Sequence, residues 1–188
     1  MTILSFDRTH SLSALFCLAL AVQAPAGATI TATARVKGAG GVEASAPVTV
    51  TIDRFSSDAE RTAIMDALKR GGTGGVKTLL ATRDRIGSVQ IGSSTTPVKY
   101  AYGTPTADGR LITVVTGSPI AFIGAGAPGA AGDKTGFDLG LVLLEVATSG
   151  SGKGEIVPAA KVKIGEKGEI VTDDYSSEVV HLVNVTRK

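Results

Sequence analysis

Tryptophan is absent from this chain, and aromatic residues make up only 4% of it. Proteins that hold single-stranded nucleic acid stack bases on aromatic platforms, and sugar-binding surfaces stack rings in a similar way. Both functions are disfavoured. Excess charge of one sign is also lacking: the net value is +2. No basic block is present to draw nucleic acid or anionic lipid by counterion release. We therefore expect no nucleic-acid partner.

Cysteine is nearly absent too. The single Cys17 lies in an apolar run, LSALFCLALAV (12–22), preceded by Arg8 and His10. Ala24-Pro25-Ala26 and Ala26-Gly27-Ala28 follow. A charged start, an apolar run of about 7–15 residues and an A-x-A site form the pattern of a cleaved secretory signal. We expect a signal peptide over 1–28, with cleavage after Ala26 or Ala28 fitting equally well. The remainder, 29–188, reads as one mostly-β domain exported to the periplasm or the exterior. Phe16 before Cys17 is too bulky for a lipoprotein site, so the mature chain is expected to have no cysteine. Disulfides, thiolate catalysis and cysteine-bound zinc drop out together. No twin-arginine pair precedes the run, so export is expected as an unfolded chain carrying no cofactor. Long apolar runs are missing as well: a membrane span needs roughly 20 residues, and LGLVLLEVA (139–147) is interrupted by Glu145. We expect no transmembrane span in the mature chain.

What is present is β patterning. TITATARVK (29–37) and PVTVTIDRF (47–55) alternate β-branched and polar residues at period two, which predicts half-buried strands. The residues between them, up to Ala46, read as a turn or loop. The period then changes in SSDAERTAIMDALKR (56–70), where Ser57 and Glu60 have capping-box spacing and Gly71-Gly72 supply a stop. VKTLLATR (76–83) reads as a second short helix, so a helical hairpin is expected at about 57–83. Further strands are expected at IGSVQIG, PVKYAYG, GRLITVVTG, PIAFI, FDLGLVLLEVA, KGEIVPAAKVKI, GEIVTD and SEVVHLVNVT. GAGAPGAAGDKTG (124–136) and TSGSGKG (148–154) read as flexible. Many short strands at close turn spacing predict a mainly β fold. We expect an antiparallel barrel or sandwich with an inserted helical hairpin, α+β in class.

Two glycine motifs invite nucleotide readings, and both fail. Gly124, Gly126 and Gly129 spell G-x-G-x-x-G after a short apolar run, with Glu145 beyond. That fingerprint works only where a strand turns into a helix whose free N–H groups face a pyrophosphate. Here Gly132, Gly136 and Gly140 interrupt the required helix, each at a cost of about 1 kcal/mol relative to alanine. GSGKG (150–154) lacks the first glycine and the terminal hydroxyl of a phosphate loop, having Ala147 and Gly154 there. No cofactor is expected.

Other chemistry is thin. His181 is the one histidine beyond the signal, and strict alternation places it on a face with Val179, Val183 and Val185 as a hydrogen-bonded core or rim residue. Without a second imidazole or a thiolate, only hard cations would suit the carboxylates. Asp133 with Asp138 and Asp173 with Asp174 follow no recognised loop pattern and read as solvated turn residues, so no metal is expected. No G-x-S-x-G occurs, and an enzyme is the less favoured reading. The candidate ligand-binding residues are Tyr100 and Tyr102, which share a strand face, with Arg110 on the next strand. Two phenols beside a guanidinium suit an anionic or amide-bearing ligand.

IDRFSSDAERTAIMDALKRGG (52–72) and KYAYGTPTADGRLITVVTGSPIAF (99–122), with LVLLEV, GKGEIVPAAKVKI and VHLVNV, resemble a family of exported bacterial proteins of unknown function. The resemblance departs at Arg54-Phe55 and in the glycine-rich loop after Phe122. It implies an exported β domain with a helical pair and no known activity. Together these readings favour a non-catalytic binding protein for a small molecule or cell-envelope partner. The alternative is a structural or assembly protein acting through exposed sheet edges. The mature secreted chain should begin at Gly27 or Thr29. Intact-mass measurement of the protein recovered from its producer checks this, and a full-length mass would overturn it.

Overall fold

The computed structural model describes residues 26–37, 43–121, 136–166, 168–175 and 179–188. Among these described residues, nine strands and one helical element follow in chain order. They are β1 (Ala26–Lys37), β2 (Glu43–Arg54), α1 (Asp58–Ala81), β3 (Gly87–Ile91), β4 (Ser94–Thr106), β5 (Gly109–Thr116), β6 (Leu139–Ala147), β7 (Ser151–Ile164), β8 (Ile170–Tyr175) and β9 (Val180–Arg187). Every pairing is antiparallel. The order runs β6-β5-β4-β3-β2-β1-β9-β7, and the β6–β7 pairing closes the ring. Of the two architectures left open by the sequence, the barrel is the one formed: eight strands close it, and β8 is an extra strand on β7.

An eight-stranded barrel is just wide enough for its own side chains to fill. Ile30, Val50, Ile52, Ile112, Leu144 and Leu182 point inward and are at most 2% exposed. The alternation read from the sequence sets this face. β1 sends Ala28, Ile30 and Ala34 inward, while Thr29, Thr31 and Thr33 stay half-buried on the outer wall. A second apolar cluster lies outside the ring, where Ile64, Leu68, Val76 and Leu80 of α1 cover Val115, Leu141, Val157 and Ile170. Part of the wall is thus buried on both faces, which explains the near-continuous apolar run of β6.

The helical residues fall where the sequence placed them, as two arms that meet directly at the non-helical Gly72 (φ 55°, ψ −149°) with no separate loop between them. The bend is a reversal. A straight helix of 24 residues would be about 36 Å long at 1.5 Å per residue. Yet Arg83 Nη1 lies 3.1 Å from Glu60 Oε1. The two arms fold together so closely that a Cβ on Gly75 would fall on the Ala67 carbonyl oxygen. The tip docks on the barrel, where Thr73 Oγ1 accepts a hydrogen bond from the Val162 backbone N–H at 3.0 Å.

Several boundaries differ from the alternation rule for local reasons. Pro119–Ala121 of PIAFI are not strand; Ile120 instead turns into the core, with its N–H on the Pro158 carbonyl at 2.8 Å. Phe122, Ile123, Asp133 and the Gly124–Gly126–Gly129 motif lie outside the described residues. Glu43–Ala46 belong to β2 rather than to a loop, and Ser151–Gly154 begin β7 rather than a flexible segment. Asp173 and Asp174 lie in β8, not in a turn. β9 carries a bulge at Asn184, a non-glycine residue at positive φ (53°), where register shifts against both β1 and β7. Val180 and Leu182 face inward, and the extra residue brings Val185 inward too. His181 therefore points outward, its side chain 68% exposed, and not to the core or rim.

Among the described residues, no helix is long and apolar enough to cross a membrane. Gly75→Ala should push the helical arms apart and cost roughly 1–3 kcal/mol, the usual range for overpacking. Gly74→Ala, with open space around its Cβ position, should instead be neutral or stabilising by up to about 1 kcal/mol. Urea unfolding of the two variants beside the parent checks the contrast. Equal stabilities would overturn the close-arm geometry.

Candidate functional site

The predicted tyrosine pair exists, and the structure uses it as a joint. A bulge at Lys99 of β4 (register Val98↔Thr116, then Tyr100↔Val115) turns Tyr100 and Tyr102 to the outer wall. Their rings stack with centroids 6.4 Å apart and planes 8° from parallel. Tyr100 is only 2% exposed, under α1. Its burial raises the phenol pKa well above the usual tyrosine range. Tyr102 Oη donates to Asp58 Oδ1 at 2.8 Å. That bond to a carboxylate holds the proton on the phenol and raises its pKa as well.

Arg110 does not join them. Gly103 leaves open the space beside β4 into which the Arg110 side chain runs. The guanidinium ends 5.7 Å from the centroid of the Phe55 ring, on the inward face of the wall. The cation over the tyrosines is Arg61, its guanidinium carbon 5.0 Å from the Tyr102 centroid. Arg61 Nη2 also donates to the Gly168 carbonyl at 2.6 Å. Sequence reasoning missed Arg61 because helix and strand meet only in three dimensions.

Beside this joint sits a carboxylate that holds the foot of α1. The capping box predicted at Ser57 and Glu60 forms: Glu60 N–H donates to Ser57 Oγ at 3.2 Å, and Ser57 N–H to Glu60 Oε2 at 2.8 Å. Arg54 grips the same carboxylate through both Nη atoms at 2.8 and 2.9 Å, and Arg83 adds a bond at 3.1 Å. The Arg54 hydrogen bonds, first of all, hold the Glu60 carboxyl down at about 2 against their opposing desolvation. Each charged group of this joint already has a partner within the protein.

The recess that Arg110 lines is at the end of the barrel, between the β4–β5 and β6–β7 turns. It has a volume of about 620 Å³, with Asp108, Arg110, Leu111, Glu145 and Lys153 in its walls. Register explains the grouping: Leu111 pairs with Glu145, and Glu145 with Lys153. Lys153 Nζ and Glu145 Oε2 are 3.0 Å apart, both largely exposed. Leu111, Glu145 and Lys153 continue into a second recess of about 400 Å³ on the outer wall, which reaches Leu143, Glu155 and His181. His181 Nδ1 lies 3.7 Å from Glu155 Oε1. The two recesses present cations, carboxylates and half-buried leucines side by side, a lining suited to a ligand with both polar and apolar parts.

Among the described residues, no three His, Cys, Asp or Glu side chains cluster as metal ligands would. Asp138 is ion-paired with Lys77 at 2.8 Å, and Asp173 with Lys163 at 3.1 Å. Compared with known proteins, the chain matches no family model, no curated protein and no solved structure.

The Glu60 carboxylate gives a pH test. A folded-state pKa below the ordinary 4.5 contributes stability that is fully present above that ordinary value and is lost as pH falls through about 2. Urea midpoints measured from pH 5 to pH 2 should fall for the parent and fall less steeply for Glu60→Gln. Parallel curves would show that the joint does not depend on this charge.

Proposed function

We propose that the protein is an exported, non-catalytic binding protein that takes a small molecule or cell-envelope partner at the end of its barrel. The observation that carries this reading is the end recess, where Asp108, Arg110, Glu145 and Lys153 converge from two neighbouring hairpins. The interior offers no comparable support, being lined by apolar side chains that leave almost nothing exposed. Rigid strands carrying recognition groups on their connecting turns are a common way to position a binding surface. Export is supported by the N-terminal sequence pattern, of which residues 1–25 lie outside the described residues. Cleavage after Ala26 would leave Ala28 in place opposite Ile52 at the start of β1. A catalytic reading gains nothing from His181, which is exposed and faces a carboxylate alone among its ionic contacts.

A second reading, assembly through a sheet edge, is favoured by β8, which pairs with β7 and with no other strand among the described residues. Native mass spectrometry of the mature protein from its own producer, beside a denatured sample, tests the first reading. A discrete extra mass is expected, lost on denaturation and lost from Arg110→Ala. No extra mass in repeated preparations, together with no crosslinked partner in intact cells, would overturn the binding reading.

A further inference from the structure

Within the end recess, Arg110 is a cation that the protein leaves without a counter-charge. Lys153 is paired with Glu145 at 3.0 Å. No ion pair or hydrogen bond joins the Arg110 guanidinium to Asp108, to Glu145 or to any other of the described residues. The residue is nonetheless half-buried. Its guanidinium stands over the ring of Phe55, 5.7 Å from the centroid, and Phe55 is itself only 2% exposed. Withdrawing a charge from water costs free energy unless something answers it. The aromatic ring answers the flat face alone. The N–H donors lie in the guanidinium plane, and none of the three nitrogens is sealed from solvent.

Gly103 shows that this side chain has a seat. A Cβ there would fall 2.5 Å from Arg110 Cδ and 3.2 Å from Cγ, and its three nearest atoms all belong to Arg110. Glycine inside a strand often marks a place where another group must approach closely. The inward face is apolar as far as Ala101 and Ile112, both fully buried. Gly103 pairs with Ile112, and Arg110 with Pro105 two rungs nearer the barrel end. The wall therefore changes from packed aliphatics to a glycine floor carrying a guanidinium. Leu111, Val146 and Ala147 add apolar surface to the same recess.

We propose that the end recess binds a small molecule bearing an oxyanion, carboxylate or phosphate, on an apolar tail. Arg110 grips the oxyanion through its in-plane donors, and Leu111, Val146 and Ala147 meet the tail. The planar fork of arginine matches either oxyanion with two parallel bonds. Arg110 and Lys153 balance Asp108 and Glu145 in charge, so selection comes from this geometry and not from the overall field of the recess. Gly103 acts as a positioning residue by leaving room for the stem. The inference rests on the binding reading and narrows it to one anchor and one ligand chemistry.

The test titrates the ¹⁵N-labelled mature chain with hexanoate, hexyl phosphate and hexan-1-ol at fixed ionic strength. The Arg110 Nε–H and Gly109 amide resonances should shift saturably with an anion and stay in place with the alcohol. The tighter of the two anions assigns the oxyanion as carboxylate or phosphate. Arg110→Lys keeps a cation but loses the fork, and should weaken binding about tenfold at the Gly109 amide, as loss of one charge-assisted bond does. Gly103→Ala keeps the arginine but fills its seat, and should weaken binding by a smaller factor. The Thr31 and Thr49 amides, paired across β1 and β2, should be unmoved in both variants and mark an intact barrel. Undiminished binding by both variants would overturn Arg110 as the anchor. An equal response to hexan-1-ol would overturn oxyanion recognition while leaving a binding recess standing. No response to any of the three would overturn the inference, whereas the wider binding reading stands or falls on the mass carried from the producer.

Discussion

One long strand holds this architecture together. β7 spans 14 residues, about 46 Å at the usual rise per residue. Its first half is paired on both sides, with β6 and with β9, and these ladders close the barrel. Its second half leaves the ring, carries β8, and meets the tip of α1 at Val162. Because β8 and β9 follow one another along the same side of β7, the barrel wall and the protruding hairpin share one backbone. Displacing that strand would open the ring and undock the helical arms together.

The outer wall divides according to what covers it. Under α1 it is apolar and fully buried at Leu139, Leu141 and Val157. Across β1 and β2 it is polar, and Thr29↔Thr51 and Thr31↔Thr49 face one another as cross-strand pairs. The helical element is therefore fitted to one sector, fixed at its foot by Glu60 and at its tip by Thr73. The tyrosine pair lies in that sector as a packing surface, whereas Arg110 belongs to the barrel end. The two tyrosines share the outer face of one strand, whereas Arg110 pairs with Pro105, three rungs from Tyr102, and lies on the other face of the sheet.

Much of the fold was legible in the sequence because the physics is local. The alternation in TITATARVK and PVTVTIDRF gave the inward face, and the Ser57–Glu60 spacing gave the helix start, with both capping bonds formed. Closure was not legible, since it depends on β9 pairing with β1 and β7 from the far end of the chain. Alternation also misled wherever a bulge adds a residue. Asn184 displaces the phase in β9, so a histidine flanked by valines reads as inward and stands outward. The glycines at 152 and 154 read as a flexible turn because they lack β propensity; long-range pairing makes them strand. Of the candidate site, the two phenols were placed together correctly. Arg61, their actual cationic neighbour, was invisible because it comes from another element.

The helical element enters and leaves through a door that is already shut. Ile52 pairs with Gly87, and Asp53 N–H donates to the Ile86 carbonyl at 2.9 Å, so the strands on either side of α1 form a hairpin neck without it. Lengthening a loop that closes at such a neck adds only about 0.6 kcal/mol per doubling. Gains or losses of residues between that neck and the tip leave every strand register untouched. Strand pairing therefore leaves the length of this segment open, and what sets it is the docking of its foot at Glu60 and of its tip at Thr73.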